Sequence, residues 1–205
     1  MSGLSFNAHR RGSDQEPPPA RGAGVGKRQG AAVANAMSVD VEDYFQVSAM
    51  EHRISRQSWD RFECRVERNV DRILEQFEQH GARGTFFTLA WVAKRYPALI
   101  RRIVAAGHEL ASHGTNHVRV SAQTPTEFRA DIRNAKAVLE DVGGTGVSGY
   151  RAASFSFTDA TDWAHAILAE EGHRYSSSIY PIRHDHYGLP AAPRRPFRPL
   201  DGAAF

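Results

Sequence analysis

The sequence predicts an α/β fold with parallel strands, and three observations predict it. Short apolar runs alternate with longer stretches of helical apolar spacing along the 205-residue chain. Glycine or proline marks most junctions between them. Residues able to do chemistry gather just after the strand-like runs, which fits a barrel-like layout with its site at the strand C-terminal ends. Counting elements alone does not separate such a barrel from an open sheet.

The elements follow in order. Residues 34–39 form a short buried strand that delivers Asp40 to its carboxyl end. Phe62, Val66, Val70, Ile73, Leu74 and Phe77 share one helical face, and Gly81 is the stop. Gly84-Thr85-Phe86-Phe87-Thr88 begins the next strand, expected over Thr85–Leu89. Pro97 opens a helix through Ile100, Ile103 and Val104 that Gly107 ends. His108–Ser112 is a strand leading into His113. Thr124-Pro125-Thr126-Glu127 is a capping box with proline at the first helical position. Phe128, Ile132, Ala135, Val138 and Leu139 then carry the stripe to Gly143. Val147–Tyr150 is a strand ending at Arg151, and Trp163, Ile167 and Leu168 mark a helix stopped at Gly172. A last strand lies near Tyr175–Ile179.

Two segments differ in kind. Residues 1–36 hold six glycines, three consecutive prolines and little apolar periodicity, so a disordered tail is expected there and one domain over 37–205. The tail carries five Lys/Arg against two Asp/Glu; without it the totals of 26 and 23 fall to 21 of each. The folded part is balanced in charge, which gives nucleic-acid binding little support. Cys64 is the only cysteine, which excludes an internal disulfide and a Cys-based zinc site; it is expected as helix filler. No apolar run approaches the ~20 residues of a membrane span, and no secretory signal is visible, so cytoplasmic residence is expected.

The most informative residues are His113 and His117, spaced i, i+4, together with the cluster Asp40-Val41-Glu42-Asp43. One or two carboxylates plus two imidazoles form a ligand set for a catalytic divalent metal with an open position. A remaining carboxylate is then free to act as a base. A His-x-x-x-His pair by itself is more often a polar helix face or a satisfied loop pair; the acidic strand end moves the odds.

With Gly-Thr-Phe-Phe-Thr and the Arg-centred strand end Gly149-Tyr150-Arg151-Ala152-Ala153, these motifs in this order resemble the polysaccharide deacetylase family. Its domain is also called the NodB homology domain, or carbohydrate esterase family four. The resemblance runs from about Met37 to about Phe197. Ser38–Phe45 and Ser177–Asp185 look like the branch found with exosortase-linked exopolysaccharide systems. It implies a distorted (β/α) barrel of seven strands and hydrolysis of N-acetyl or O-acetyl groups on a polysaccharide. It implies zinc as the metal, with cobalt, nickel or manganese as alternatives. On the family pattern Asp40 is the general base, Arg151 holds it as a carboxylate, and His113 and His117 are metal ligands. The family's acidic pair is adjacent; here Val41 intervenes, and strand alternation puts 40 and 42 on one face, so Glu42 is the preferred third ligand and Asp43 the reserve. Tyr44 or Phe45 is expected to line the sugar cleft. Phe86, Phe87, Tyr150, Phe155, Trp91 and Trp163 are expected in packing, and His184 and His186 as solvated loop residues.

The family's late Leu-x-His strand, source of its general acid, has no match after Tyr175, where a Pro- and Arg-rich segment stands. A chain cut short before barrel closure is therefore expected. Two rival functions remain: hydrolysis of a small non-sugar amide, as in allantoinase-like relatives of the fold, and an inactive fragment that binds metal or glycan.

Overall fold

The structure, a computed structural model, describes residues 35–184 and 187–200. Five parallel strands form one sheet in the order β1-β2-β3-β4-β5. They are β1 (Met37–Val41), β2 (Gly84–Thr88), β3 (Glu109–Ser112), β4 (Gly149–Tyr150) and β5 (Tyr175–Ser176). Between them run α1 (Val66–Gln79), α2 (Ala90–Arg95), α3 (Pro97–Ala105), α4 (Pro125–Gly143) and α5 (Trp163–Glu170), with short 3-10 turns. Each strand pairs with its successor in sequence, so right-handed crossovers lay the helices on one face of the sheet.

Strand alternation sorts the side chains. Val39, Val41, Phe86 and Leu110 pack with Val66, Val70, Ile100, Ile103 and Leu139 in the core between sheet and helices. Fully burying each such aliphatic or aromatic side chain contributes about 1.5–3 kcal/mol. Ser38, Asp40, Thr85 and Phe87 take the opposite face, where Asp40 is in register with Phe87 and Phe87 with Ala111. A second core joins Phe128 and Ile132 of α4 to Tyr150, Ala164 and Leu168.

Helix starts follow their capping chemistry. Thr124 and Glu127 form the expected capping box of α4, and Gly144, at φ 64°, ends it in the left-handed conformation. α1 has no side-chain cap from its own N-cap residue, Arg65. Asp43 supplies it from a distance, accepting hydrogen bonds from the backbone N–H of Arg65 and, at 2.9 Å, of Val66.

Several expectations are corrected. The sheet has five strands where seven were expected, and no barrel closes among the described residues. β4 and β5 are only two residues each, and prolines at 181, 190, 193, 196 and 199 remove ladder donors from the segment after β5. Asp40 lies within β1, which runs to Val41, not just beyond its end. α1 begins at Val66, so Phe62 and Cys64 precede it; Cys64 is a half-buried loop residue. α2, six residues with no side-chain cap, gave no start signal to read. Residues 1–34 of the expected tail lie outside the described residues. Among the described residues no helix is long and apolar enough to cross a membrane.

Candidate metal centre

Three strand ends and the loops after them assemble the site. β1 turns Val41 into the core between sheet and helices and Asp40 to the opposite face, and Glu42, the residue after β1, keeps that alternation. β3 ends at Ser112 and hands the chain to His113, which is 2% exposed. The next residues are a pinned loop, not a helix. Gly114 has φ 79°, and a Cβ there would come within 2.8 Å of Asp131 Oδ2. His117 sits at φ 52°, a left-handed conformation uncommon for a residue with a side chain.

The neighbours that hold this loop are specific. Asp131 of α4 accepts the Thr115 N–H at 3.1 Å, and the N–H groups of Ala90 and Trp91 donate to the carbonyls of Gly114 and Thr115. Arg56 donates from Nε to the Asn116 carbonyl at 2.8 Å and from Nη2 to the His117 carbonyl at 3.0 Å. His117 thereby reaches the same point as His113, with ring centroids 5.2 Å apart.

Glu42, His113 and His117 offer one donor atom each, all within 4.8 Å of one another. Glu42 Oε2 lies 3.1 Å from His117 Nε2 and 3.9 Å from His113 Nε2. The His113 Nδ1 is 2.8 Å from the Arg151 carbonyl; an N–H there leaves the Nε2 lone pair facing Glu42. Burial pushes Glu42 up to about 8, with the nearby Asp40 charge adding to it. Burial pushes His117 down to about 3, with His113, Arg56 and Arg119 adding to it. Burial also lowers His113.

These residues fit a divalent cation. Glu42 Oε2 is buried and accepts no hydrogen bond among the described residues despite its proximity to His117. A buried carboxyl oxygen without a hydrogen-bond partner and two imidazole nitrogens converge within 4.8 Å, a set of lone pairs that one cation would satisfy. One N₂O donor set of this kind matches zinc and its neighbours in the first transition row.

Arg151, 8% exposed, is the second hub. Its Nη1 donates to Asp40 Oδ1 at 2.6 Å, its Nη2 to Ser38 Oγ at 3.0 Å and Ser177 Oγ at 2.9 Å, and its Nε to the Ser177 carbonyl at 3.1 Å. The guanidinium lies 4.0 Å from the centroid of the Phe87 ring. One residue thus ties the base candidate on β1 to the chain leaving β5. Asp40, Glu42, His113 and His117 open together on a cleft of about 620 Å³ walled by Phe155, His184 and Tyr187. A cavity of about 650 Å³ near Thr85, Tyr175 and Pro196 touches Arg151 but none of the three donors.

Three expected residues fall elsewhere. Asp43 is not in the donor cluster, because both of its oxygens are taken by backbone N–H groups of Tyr44, Arg65 and Val66. Phe45 is 1% exposed and packed among Trp59, Phe62 and Trp91, and it does not line the cleft on which the donors open. Tyr44 is 40% exposed under the Arg65 guanidinium and does not line the cleft on which the donors open. Sequence reading missed Ser38 and Ser177 on Arg151; the two-residue spacing from Ser38 to Asp40 was the available signal for the first. His184 is at the cleft wall, stacked on Tyr187, and His186 lies outside the described residues.

Comparison with known proteins gives the same direction. A family model described as polysaccharide deacetylase matches residues 55–175. A chitooligosaccharide deacetylase of Sinorhizobium fredii is 44% identical over 67 residues, 33% of this chain and 31% of that protein. A peptidoglycan-N-acetylglucosamine deacetylase of Bacillus cereus is 29% identical over 73 residues, 36% of this chain and 26% of that one. A crystal structure of a polysaccharide deacetylase from Mycobacterium smegmatis superposes with a TM-score of 0.58 at 28% identity, covering 70% of this chain and 50% of that one. The aligned stretches span about a third or less of these two curated relatives. The matched family segment begins after Asp40 and Glu42, so what those two residues do rests on their geometry.

Proposed function

The chain belongs to the polysaccharide deacetylase family, and from that premise we propose that it hydrolyses acetyl groups, mainly N-acetyl, from a polysaccharide with a divalent metal. One observation carries the reading: the Glu42–His113–His117 donors and the Arg151-held carboxylate of Asp40 open on one cleft. Zinc is the first choice for that donor set. Once bound, the metal supplies Lewis-acid charge to an acetamide carbonyl and makes water easier to deprotonate.

The chain's own residues do the rest. Glu42, His113 and His117 hold the cation, and the Arg151 carbonyl fixes the tautomer of His113. Asp40 takes the proton of the attacking water; Arg151 occupies its Oδ1 and leaves Oδ2 for that proton. The carbon–nitrogen bond would then break as the departing nitrogen takes up the proton held on Asp40, giving acetate and a free amine on the sugar. The relatives named for N-acetylglucosamine polymers make those the first substrates to try. The wording of Ser38–Phe45 and Ser177–Asp185 supports placement in the exosortase-linked branch, hence an exopolysaccharide as the natural substrate.

The test is acetate release from N-acetylated chitooligosaccharides by the metal-free chain, and then after zinc, cobalt, nickel or manganese is added. Release that appears with metal and disappears with chelator is expected. No release with any of the four would sink the proposal.

A further inference from the structure

A second cavity, of about 340 Å³, is formed by the turns between β1 and α1 and shares no lining residue with the donor cleft. Phe45, Ile54 and Trp59 give it apolar walls, and Gln46, Glu51 and Arg56 give it polar ones. Gln46 and Trp59 are each 3% exposed. Gln46 Nε2 and Trp59 Nε1 are both buried, and neither donates a hydrogen bond to any of the described residues. Buried donors in folded proteins are nearly always paired, and leaving one unpaired is costly. Two such donors on residues that wall one cavity therefore mark a place for an acceptor.

Both donors are fixed. The Gln46 amide cannot turn over to withdraw its N–H groups, because its Oε1 accepts the Asp43 N–H at 2.8 Å and so leaves Nε2 to donate. The Trp59 indole is set by Phe45 and Trp91, with ring centroids 6.1 and 5.7 Å away, and an indole N–H can only donate. Arg56 adds a positive charge, oriented by its hydrogen bonds to the Asn116 and His117 carbonyls. Glu51, the carboxylate in the wall, is paired with Arg119 at 3.2 Å. These surroundings call for an occupant with two acceptor oxygens, a negative charge and a small apolar body.

We propose that this cavity binds a small monocarboxylate of the acetate or propionate kind. Its two oxygens accept from Gln46 Nε2 and Trp59 Nε1 beside the Arg56 charge, and its alkyl end lies against Phe45 and Ile54. The site is separate from the metal donors and does not depend on the reading of them. Arg56 connects the two, because the same side chain holds the carbonyls of the loop that carries His117.

The indole N–H resonances of the three tryptophans test it, with Trp59→Phe identifying the Trp59 signal. Titration with acetate or propionate is expected to move that signal saturably. The Trp163 signal, whose Nε1 already donates to the Ala160 carbonyl at 3.1 Å, should stay in place. Chloride at the same ionic strength should move neither, and acetamide, which lacks the charge, should act more weakly than acetate. Gln46→Glu keeps an acceptor for the Asp43 N–H but sets a like charge against the ligand, and should weaken binding at least about tenfold. The His113→Ala/His117→Ala variant should respond as the parent does. No shift with either acid would leave the cavity to water and overturn the proposal. So would an equal response to chloride or acetamide, undiminished binding in Gln46→Glu, or loss of the shift with the two histidines, which would put the acid in the metal cleft.

Discussion

His113 Nδ1 lies 2.8 Å from the carbonyl oxygen of Arg151, the residue whose side chain grips Asp40. Arg151 therefore holds the proposed metal donors through its backbone and the proposed base through its guanidinium. The two services separate on mutation. Arg151→Lys keeps the carbonyl but loses the forked contacts to Asp40, Ser38 and Ser177. Metal affinity should stay within about threefold, while kcat falls by about ten- to a hundredfold. A parallel loss of both, measured by metal titration and acetate release, would place the side chain in the metal site.

The donors are tested by removal. The His113→Ala/His117→Ala double variant should bind no zinc at the concentration that saturates the parent chain. Saturating the parent at a hundred times its Kd should stabilise it by about 2.7 kcal/mol, and the variant by nothing. Equal shifts in melting temperature would place the metal elsewhere.

Asp40 and Glu42 lie on one side of the chain two residues apart, and the proposal gives them different roles. Asp40→Asn should keep the metal and lose about 10²–10⁴ in kcat. Glu42→Gln should weaken the metal first. If titration shows the metal lost from Asp40→Asn and kept in Glu42→Gln, the two assignments are exchanged.

Asp43 and Glu42 are adjacent, yet Asp43→Ala should behave as a cap deletion. It removes the acceptor for the first N–H groups of α1 and should cost about 1–2 kcal/mol in urea unfolding, with zinc affinity unchanged. A drop in metal affinity without loss of stability would return Asp43 to the ligand set.

His173 sets an acid limit. It is 3% exposed, and burial, helped by the Lys136 charge, pushes it down to about 4 while Glu171 opposes. Between the unfolded value of 6.5 and about 4 the unfolded chain binds more protons than the folded one. Stability from this group is complete above pH 6.5 and falls by ~3 kcal/mol as pH drops to 4. His173→Gln should flatten that part of the stability profile; an unchanged slope in urea unfolding would show that other groups cause it.

The parts legible in the sequence were those governed by local rules. The capping box at Thr124 and the alternation from Asp40 to Glu42 each state their geometry within a few residues, whereas the loop that brings His117 beside His113 is held by Arg56 and Asp131 from elsewhere in the chain. The illegible parts depended on distance along the chain. Asp43 looked like a ligand because its neighbours do, but its partners are N–H groups 22 and 23 residues away. Phe45 comes directly after the acidic cluster, yet packing against Trp59 and Trp91 takes it inward. Ser177 carries no local signal of its contact with Arg151 until the sheet brings the two together.

The grip of Ser177 on Arg151 also orders events during synthesis. Glu42, His113 and His117 leave the ribosome well before the residue that completes the harness on the base. On the proposed roles, all three cation donors are made before Ser177, so the contact that completes the hold of Arg151 on Asp40 is the last to form.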